Sequence, residues 1–312
     1  MSGKQKAKRA RDRRRQRARA ERDAQGRVHL ALHRDPATGS ERVVLKSAIF
    51  QESWQNEIAA GGANTVRGYL GDEPSLERVL ELARSVMAAT SRLSDGLLAR
   101  APAGSVACKA GCDHCCYQSV GVTPPEALAI FDHLKRTRSP EELSRFVAYL
   151  GDRFEKTRGL SPSQRFSPDQ PCVFLESGRC TVYEVRPLSC RGMNSLDAGE
   201  CEKRLKDPVA RAEFLASGAG SHSYMEPIRA FHAVSAGLQL GIAELYELDM
   251  RPLDLVAALQ LLFTGPSSTA ETWLEGQPAF EAARGGDSSD SLAVRQLSGR
   301  LTEPQSPPSR EP

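Results

Sequence analysis

Cys108–Cys116 reads Cys-Lys-Ala-Gly-Cys-Asp-His-Cys-Cys, four thiols within nine residues. The other four cysteines are Cys172, Cys180, Cys190 and Cys201, so all eight lie in one segment of under a hundred residues. Any fold this chain adopts must account for that concentration of soft, ionisable sulfur. A thiolate is a ligand for zinc, copper(I) and iron–sulfur clusters. Each metal–sulfur bond requires a deprotonated thiol, so crowding them is costly unless a cation neutralises the charge.

The spacing of the first run is C-x3-C-x2-C-C. On a helix, at about 100° per residue, Cys108, Cys112, Cys115 and Cys116 would fall within about a quarter-turn. Gly111 favours a looped path, and either geometry converges the sulfurs. Cys172, Cys180, Cys190 and Cys201 then answer from downstream. Zinc takes four Cys or His ligands, so eight thiols suffice for two Zn2+ sites. Iron–sulfur clusters also take four cysteines, often a tight run and a remote residue. Adjacent Cys115 and Cys116 fit poorly around one small ion. They fit better where one thiol binds iron and its neighbour serves a second ion, which favours iron. The competing reading is inert, buried thiols. Lys109, Asp113 and His114 within the run do not resemble a core stretch. His114 reads as a neighbour of the site, since the thiols already suffice.

Compartment bears on the same question. No stretch approaches the roughly 18 apolar residues of a membrane-spanning helix. The basic N-terminus has no apolar core behind it, unlike a secretory signal. The expectation is a cytoplasmic chain without a membrane partner, in which thiols stay reduced and clustered cysteines ligate metal rather than form disulfides.

Charge is segregated. Residues 1–23 carry eleven Lys or Arg against Asp12, Glu21 and Asp23, while the rest of the chain has 31 basic and 36 acidic residues. An arm of this composition cannot bury enough apolar surface to offset the entropy of ordering. One reading is weak attachment to nucleic acid or the ribosome by phosphate neutralisation; the other is a non-specific solubilising arm. No aromatic residue interleaves the charges, so base stacking has no support.

Along the rest of the chain the pattern is mostly α. Residues 27–33 and Val43–Leu45 flank a Pro-Ala-Thr-Gly-Ser turn and predict a hairpin, on which His29 and His33 read as decoration. From Pro74-Ser75 onward, Leu76, Val79, Leu80, Leu82, Ala83, Val86 and Met87 share a helical face, continued by Leu93 and Leu97. Pro124-Pro125-Glu126 and Ser139-Pro140-Glu141-Glu142 start two more helices. Cys172–Leu175 and Cys180–Tyr183, around Glu176-Ser177-Gly178-Arg179, predict a small β-hairpin with a cysteine at the start of each limb. Ile228, Phe231, Val234, Leu238, Ile242 and Leu245 repeat at helical spacing, as do Leu253, Val256, Leu259 and Leu262. Trp54 and Trp273 read as packing residues. The division expected is a basic disordered arm at 1–25 and a small β or irregular segment at 26–72. A helical cysteine-cluster domain follows at 73–265, with its hairpin contributing metal-binding cysteines, then a mostly disordered tail at 266–312.

The ordered set of motifs resembles a known family. C-x3-C-x2-C-C is followed by Pro171-Cys172-Val173-Phe174-Leu175, then Gly178-Arg179-Cys180-Thr181-Val182-Tyr183-Glu184, Arg186-Pro187 and Cys190-Arg191. This resembles the YkgJ-type cysteine-cluster family, described as a zinc- or iron-chelating domain and including a flagellin lysine N-methylase. The likeness covers about residues 100–205. It implies that the eight cysteines are the metal ligands, without saying which four share an ion. Cys108, Cys112 and Cys115 also match the C-x3-C-x2-C spacing of radical S-adenosylmethionine enzymes. Those enzymes need repeated β/α units, whereas the chain beyond Cys116 reads as helical.

Arg186 and Arg191 bracket Cys190. A guanidinium fork suits a carboxylate or phosphate beside a metal, which makes both candidate cofactor-binding residues. The alternative is a salt bridge, to Glu184 for example, or a hydrogen bond that offsets thiolate charge. Two functions remain in competition. One is an iron or iron–sulfur protein, with modification of an unknown protein or small-molecule substrate as its reaction. The other is a zinc-stapled module that uses the basic arm on RNA, DNA or the ribosome.

Overall fold

The computed structural model describes Arg13, Ala24 and residues 28–218 and 222–284. The basic arm and the last 28 residues lie almost wholly outside the described residues. Among the described residues the architecture is helical, with three two-stranded antiparallel sheets as fasteners.

β1 (Leu30–Arg34) and β2 (Glu41–Leu45) form the first hairpin, in register from Leu30 opposite Leu45 to Arg34 opposite Glu41. Asp35 closes its loop by accepting the Ala37 and Thr38 N–H groups. The hairpin then docks on α1 (Ser53–Leu70). Asn64 of that helix accepts the Val43 N–H and donates to the Val43 carbonyl, both at 2.7 Å. α2 (Leu76–Leu98) is capped by Ser75 and buries Val79, Leu82, Ala83, Val86 and Met87, as its periodicity predicts.

The cysteine run follows α2 as loop and a 3-10 turn over His114–Tyr117. β3 (Gly121–Val122) leads into α3 (Pro124–Thr137), whose Thr123/Glu126 capping box and N-terminal prolines explain where it starts. α4 (Pro140–Thr157) begins on the Ser139/Glu142 box. The short α5 (Pro162–Arg165) precedes the second hairpin, β4 (Leu175–Glu176) and β5 (Arg179–Cys180). Then come α6 (Leu188–Gly192), α7 (Ala198–Lys206) and α8 (Pro208–Ser217). The 22-residue α9 (Met225–Tyr246) crosses the body. β6 (Leu253–Asp254) pairs with β3 and carries the chain into α10 (Leu255–Thr264) and α11 (Thr269–Leu274).

α1 and α9 pack closely because small residues line the contact. A Cβ on Gly237 would sit 2.3 Å from the Ala59 carbonyl oxygen, and one on Gly241 would sit 3.0 Å from Val66. The main core lies between α2, α3, α4, α9 and α10, with Phe146 stacked on Phe174 at 5.6 Å and Phe263 edge-on to Phe131 at 4.8 Å. Phe174 follows Cys172 by two residues, so the core reaches the floor of the cysteine region. No helix among the described residues is long and apolar enough to cross a membrane.

Two segments hold more structure than the sequence reading expects. Within 26–72, eighteen residues form α1, whose buried face includes Ala59, Ala63, Val66 and Leu70. Beyond 265, the body continues to residue 284. Trp273 is fully buried and donates its indole N–H to the Asp249 carbonyl at 2.7 Å, while Phe280 and Ala283 are buried with it. Arg284 and Arg251 both pair with Asp249 and close this end.

Candidate metal centre

The eight cysteines reach one region from several elements, and all are free thiols. Cys108 and Cys112 sit in the loop before the 3-10 turn. Gly111, at φ +87°, supplies the left-handed bend that only a residue without a Cβ adopts freely. Cys115 and Cys116 lie on the turn itself, which closes through the Cys116 N–H to the Asp113 carbonyl at 2.7 Å. The loop is pinned at its start, where Ala107 donates to the Ser195 carbonyl at 2.9 Å. In return, the Ser195 N–H donates to the Cys108 sulfur at 3.2 Å.

The second half arrives beneath it. Cys172 donates its N–H to the Cys116 carbonyl at 2.7 Å, joining the two stretches directly. Cys172 then lies just before the hairpin, not in its strand, while Cys180 ends β5. The hairpin is shorter than its sequence suggests. Its turn residues Ser177 (φ +49°) and Gly178 (φ +73°) are both left-handed, the requirement of a two-residue hairpin turn that follows strand twist. A Cβ on Gly178 would meet the Gly111 carbonyl at 3.5 Å, so the hairpin tip rests on the cysteine loop. Cys190 is on α6, and Cys201 is on α7, which packs against the 3-10 turn. Arg204, one turn beyond Cys201, donates to its sulfur at 3.1 Å.

Electrostatics record how close the thiols are. Cys115 and Cys116 share a hydrogen bond. That bond and the Arg186 guanidinium bring Cys115 down to about 6 against the opposing effect of burial, and the same shared bond pushes Cys116 up. Burial pushes Cys172 up to about 11 and Cys190 to about 12, and raises Cys108 and Cys180 as well. Without a cation, most of this group therefore holds its protons at neutral pH. Among the described residues, no three Cys, His, Asp or Glu side chains are drawn together closely enough to hold an ion. The donor set is nevertheless the chemistry that zinc or iron requires, eight unpaired thiols on adjoining elements.

The two arginines part company. Arg191, 8% exposed, spends its guanidinium on the carbonyls of Arg186, Glu184 and Tyr183 and on the Ser91 hydroxyl. Its own carbonyl accepts from Ser94 on α2. It ties the 183–187 turn to the body, with no free fork for a ligand. Arg186 faces sulfur. Burial opposes its charge, but the thiols of Cys190, Cys115, Cys116 and Cys180 outweigh that and raise its pKa. His114 lies 4.0 Å from Asp113. His29 and His33 belong to the first hairpin.

Residues 107–208 match the family CxxCxxCC, whose description is "Putative zinc- or iron-chelating domain". The match is to a cysteine-cluster domain and covers about a third of the chain. No curated protein and no solved structure is detectably similar to the chain. The matched span of the CxxCxxCC domain begins one residue before Cys108 and ends after Cys201, so it takes in every cysteine. Sequence reasoning missed two contacts to the sulfurs. Arg204 stands three residues after Cys201, a helical spacing that could have signalled it. Ser195 acts through its backbone N–H and carries no side-chain signal.

Proposed function

We propose that the chain is a metal-binding protein that holds iron, as an iron–sulfur cluster or as bare ions, through Cys108, Cys112, Cys115, Cys116, Cys172, Cys180, Cys190 and Cys201. The observation that carries this is the gathering of eight free thiols on adjoining loop, turn, hairpin and helix elements, five of which, Cys115, Cys116, Cys172, Cys180 and Cys190, bear on the Arg186 guanidinium. That guanidinium supports an anionic, metal–thiolate assembly, because it lowers the cost of assembling negative sulfur in a partly buried site. The adjacent Cys115–Cys116 pair favours iron, or at least two ions, over a single zinc. When bound, such a centre supplies electron transfer or Lewis acidity, and modification of a protein side chain or small molecule is the reaction class it would serve. A reducing compartment such as the cytoplasm suits it, since the thiols must stay unpaired.

The test is elemental analysis with visible absorption on protein purified without oxygen or chelator. The expected result is stoichiometric iron with sulfur-to-iron charge-transfer bands, plus acid-labile sulfide if the iron is in a cluster. Protein free of stoichiometric metal overturns the proposal. Colourless protein with zinc in whole-number ratio moves the reading to a zinc-stapled module.

The charge segregation of residues 1–23 favours that module as the second reading. Its arm would bind RNA or the ribosome, with affinity falling steeply as salt rises and vanishing on deletion of residues 1–23. RNA binding unchanged by the deletion defeats it.

A further inference from the structure

We propose that the chain has a second binding site, beside the cysteines, in a small cavity where α4, α5 and α10 meet. It takes the carboxylate end of a small organic acid on Arg153 and Arg165, with Cys172 in the opposite lining. The site stands whether or not the thiols hold metal. It gives to Arg153 and Arg165 the anion-holding role that the sequence suggests for Arg186 and Arg191.

The cavity encloses about 20 Å³, and Arg153, Arg165 and Cys172 all line it. Arg153, on α4, is 8% exposed, and a guanidinium keeps its charge across the working pH range. Its acceptors are all neutral: the Gln170 amide oxygen at 2.7 Å, the Pro171 carbonyl at 3.2 Å and the Asp169 carbonyl at 3.4 Å. Those bonds use its two Nη atoms and tie α4 to the 169–171 stretch. They leave Nε, which is buried without a partner. Arg165, at the end of α5, adds a second guanidinium that is only 11% exposed, and it pairs with the buried Asp254. One carboxylate against two guanidinium groups leaves one buried positive charge uncompensated. Such a charge is costly, and an anion beside it removes the cost. Size and shape select the anion. A cavity of this volume takes about one water-sized group, too little for a tetrahedral phosphate. A carboxylate is planar, matches a guanidinium edge and can enter oxygens first. Gln118 and Ser119 add neutral polar side chains to the same lining, and Val256 adds an apolar one.

Full-length protein, as isolated, is titrated with carbon-13 formate at constant ionic strength and followed by NMR of the ligand and of the arginine Nε–H groups. Formate should bind saturably at one site per chain. The Arg153 Nε–H resonance, assigned by its absence from Arg153→Lys, should shift along the same isotherm. Arg153→Lys keeps the charge and loses Nε, so it should weaken formate by about tenfold, the effect of losing one charged hydrogen bond. Arg186→Met should leave formate binding unchanged. Ser119→Leu, which fills the cavity and leaves both arginines in place, should abolish saturation, and it serves where Arg153→Lys fails to fold. Binding that never saturates, or that Arg186→Met weakens and Ser119→Leu does not, overturns the site and leaves water as the cavity's occupant. Displacement of formate by equimolar chloride overturns the carboxylate assignment in favour of a general anion site. Metal content measured on the same samples keeps the two readings apart. Metal-loaded protein that does not bind formate overturns this site alone, and metal-free protein that binds it overturns the proposed function alone.

Discussion

The α1–α9 contact and the cysteine-bearing stretches are held together by different means. Between the two helices, Gly62, Gly237 and Gly241 let backbones approach until a single methyl would collide with the Ala59 carbonyl. That order comes from steric fit and dispersion, which need nothing from solution. Around the cysteines the elements are a 3-10 turn, two-residue strands and helices of five and nine residues. Elements so short gain little from their own hydrogen bonds. They depend on polar anchors such as Ser195, Glu126 and Arg191, and on any cation that neutralises the thiols. The body should therefore be indifferent to metal, and the cysteine stretches should not.

Metal removal is the strongest test of that contrast. In small domains a structural metal contributes about 10 kcal/mol or more to folding. Chelation should accelerate amide exchange a thousandfold or more in the turn at His114–Tyr117, in the second hairpin and in α6 and α7, while α1 and α9 keep their protection. Equal loss in both regions would erase the distinction.

Gly237→Val attacks the other side. The colliding atom is backbone at 2.3 Å and has no rotamer by which to yield. The cost should reach about 3 kcal/mol, the upper end for overpacking. Urea denaturation reads the loss, and metal per folded molecule should stay at the wild-type value.

The arginine pair sharpens the boundary between the two regions. Arg191→Met removes the donors from three carbonyls and severs the 183–187 turn from α2. The expected loss is about 2 kcal/mol, by analogy with other buried polar groups left without partners. Arg186→Met should leave the denaturation midpoint nearly unchanged and lower metal retention under chelator challenge. A reversal of the two phenotypes would mean that Arg191, not Arg186, serves the thiols.

The same division explains what could be seen in the sequence. α2, α3 and α4 were legible because their caps are local chemistry, Ser75, Thr123 with Glu126, and Ser139 with Glu142, followed by large apolar residues at helical spacing. α1 was not. Its packing face includes Ala59, Gly62 and Ala63, which carry little hydrophobic signal, and their value appears only when Gly237 and Gly241 are opposite. Residues 269–284 were obscured in the same way, because Trp273 and Phe280 stand apart in sequence and join one buried cluster only in the fold. At the site, the sulfur-rich chemistry was plain from eight cysteines, and the hairpin from Ser177-Gly178. Which thiols are neighbours depends on where the 193–197 loop sets Cys108 against α7, a tertiary fact with no local code. Arg186 and Arg191 look alike in sequence, and only their partners tell them apart.

Glu126 offers the smallest effect and the one most specific to the seam between body and cysteine stretches. Its buried carboxylate accepts the Thr123 N–H and hydroxyl, capping α3, and the Leu188 N–H, which starts α6 two residues before Cys190. Burial raises its pKa above the ordinary 4.5, with the three hydrogen bonds opposing that rise in part. The folded state thus holds this proton more tightly than the unfolded chain does. Stability from this group is greatest below 4.5 and falls as pH rises toward the folded value, by at most about 1.4 kcal/mol per pH unit. Glu126→Gln cannot titrate. It keeps one acceptor and sets an NH2 against a backbone donor, for a cost of about 1 kcal/mol. Urea midpoints measured for both proteins across the acid range should therefore show the wild type's advantage shrinking from pH 4.5 upward, then levelling off. Parallel curves would place the acid sensitivity of the seam elsewhere, with the thiols and their metal as the remaining titrating groups on its far side.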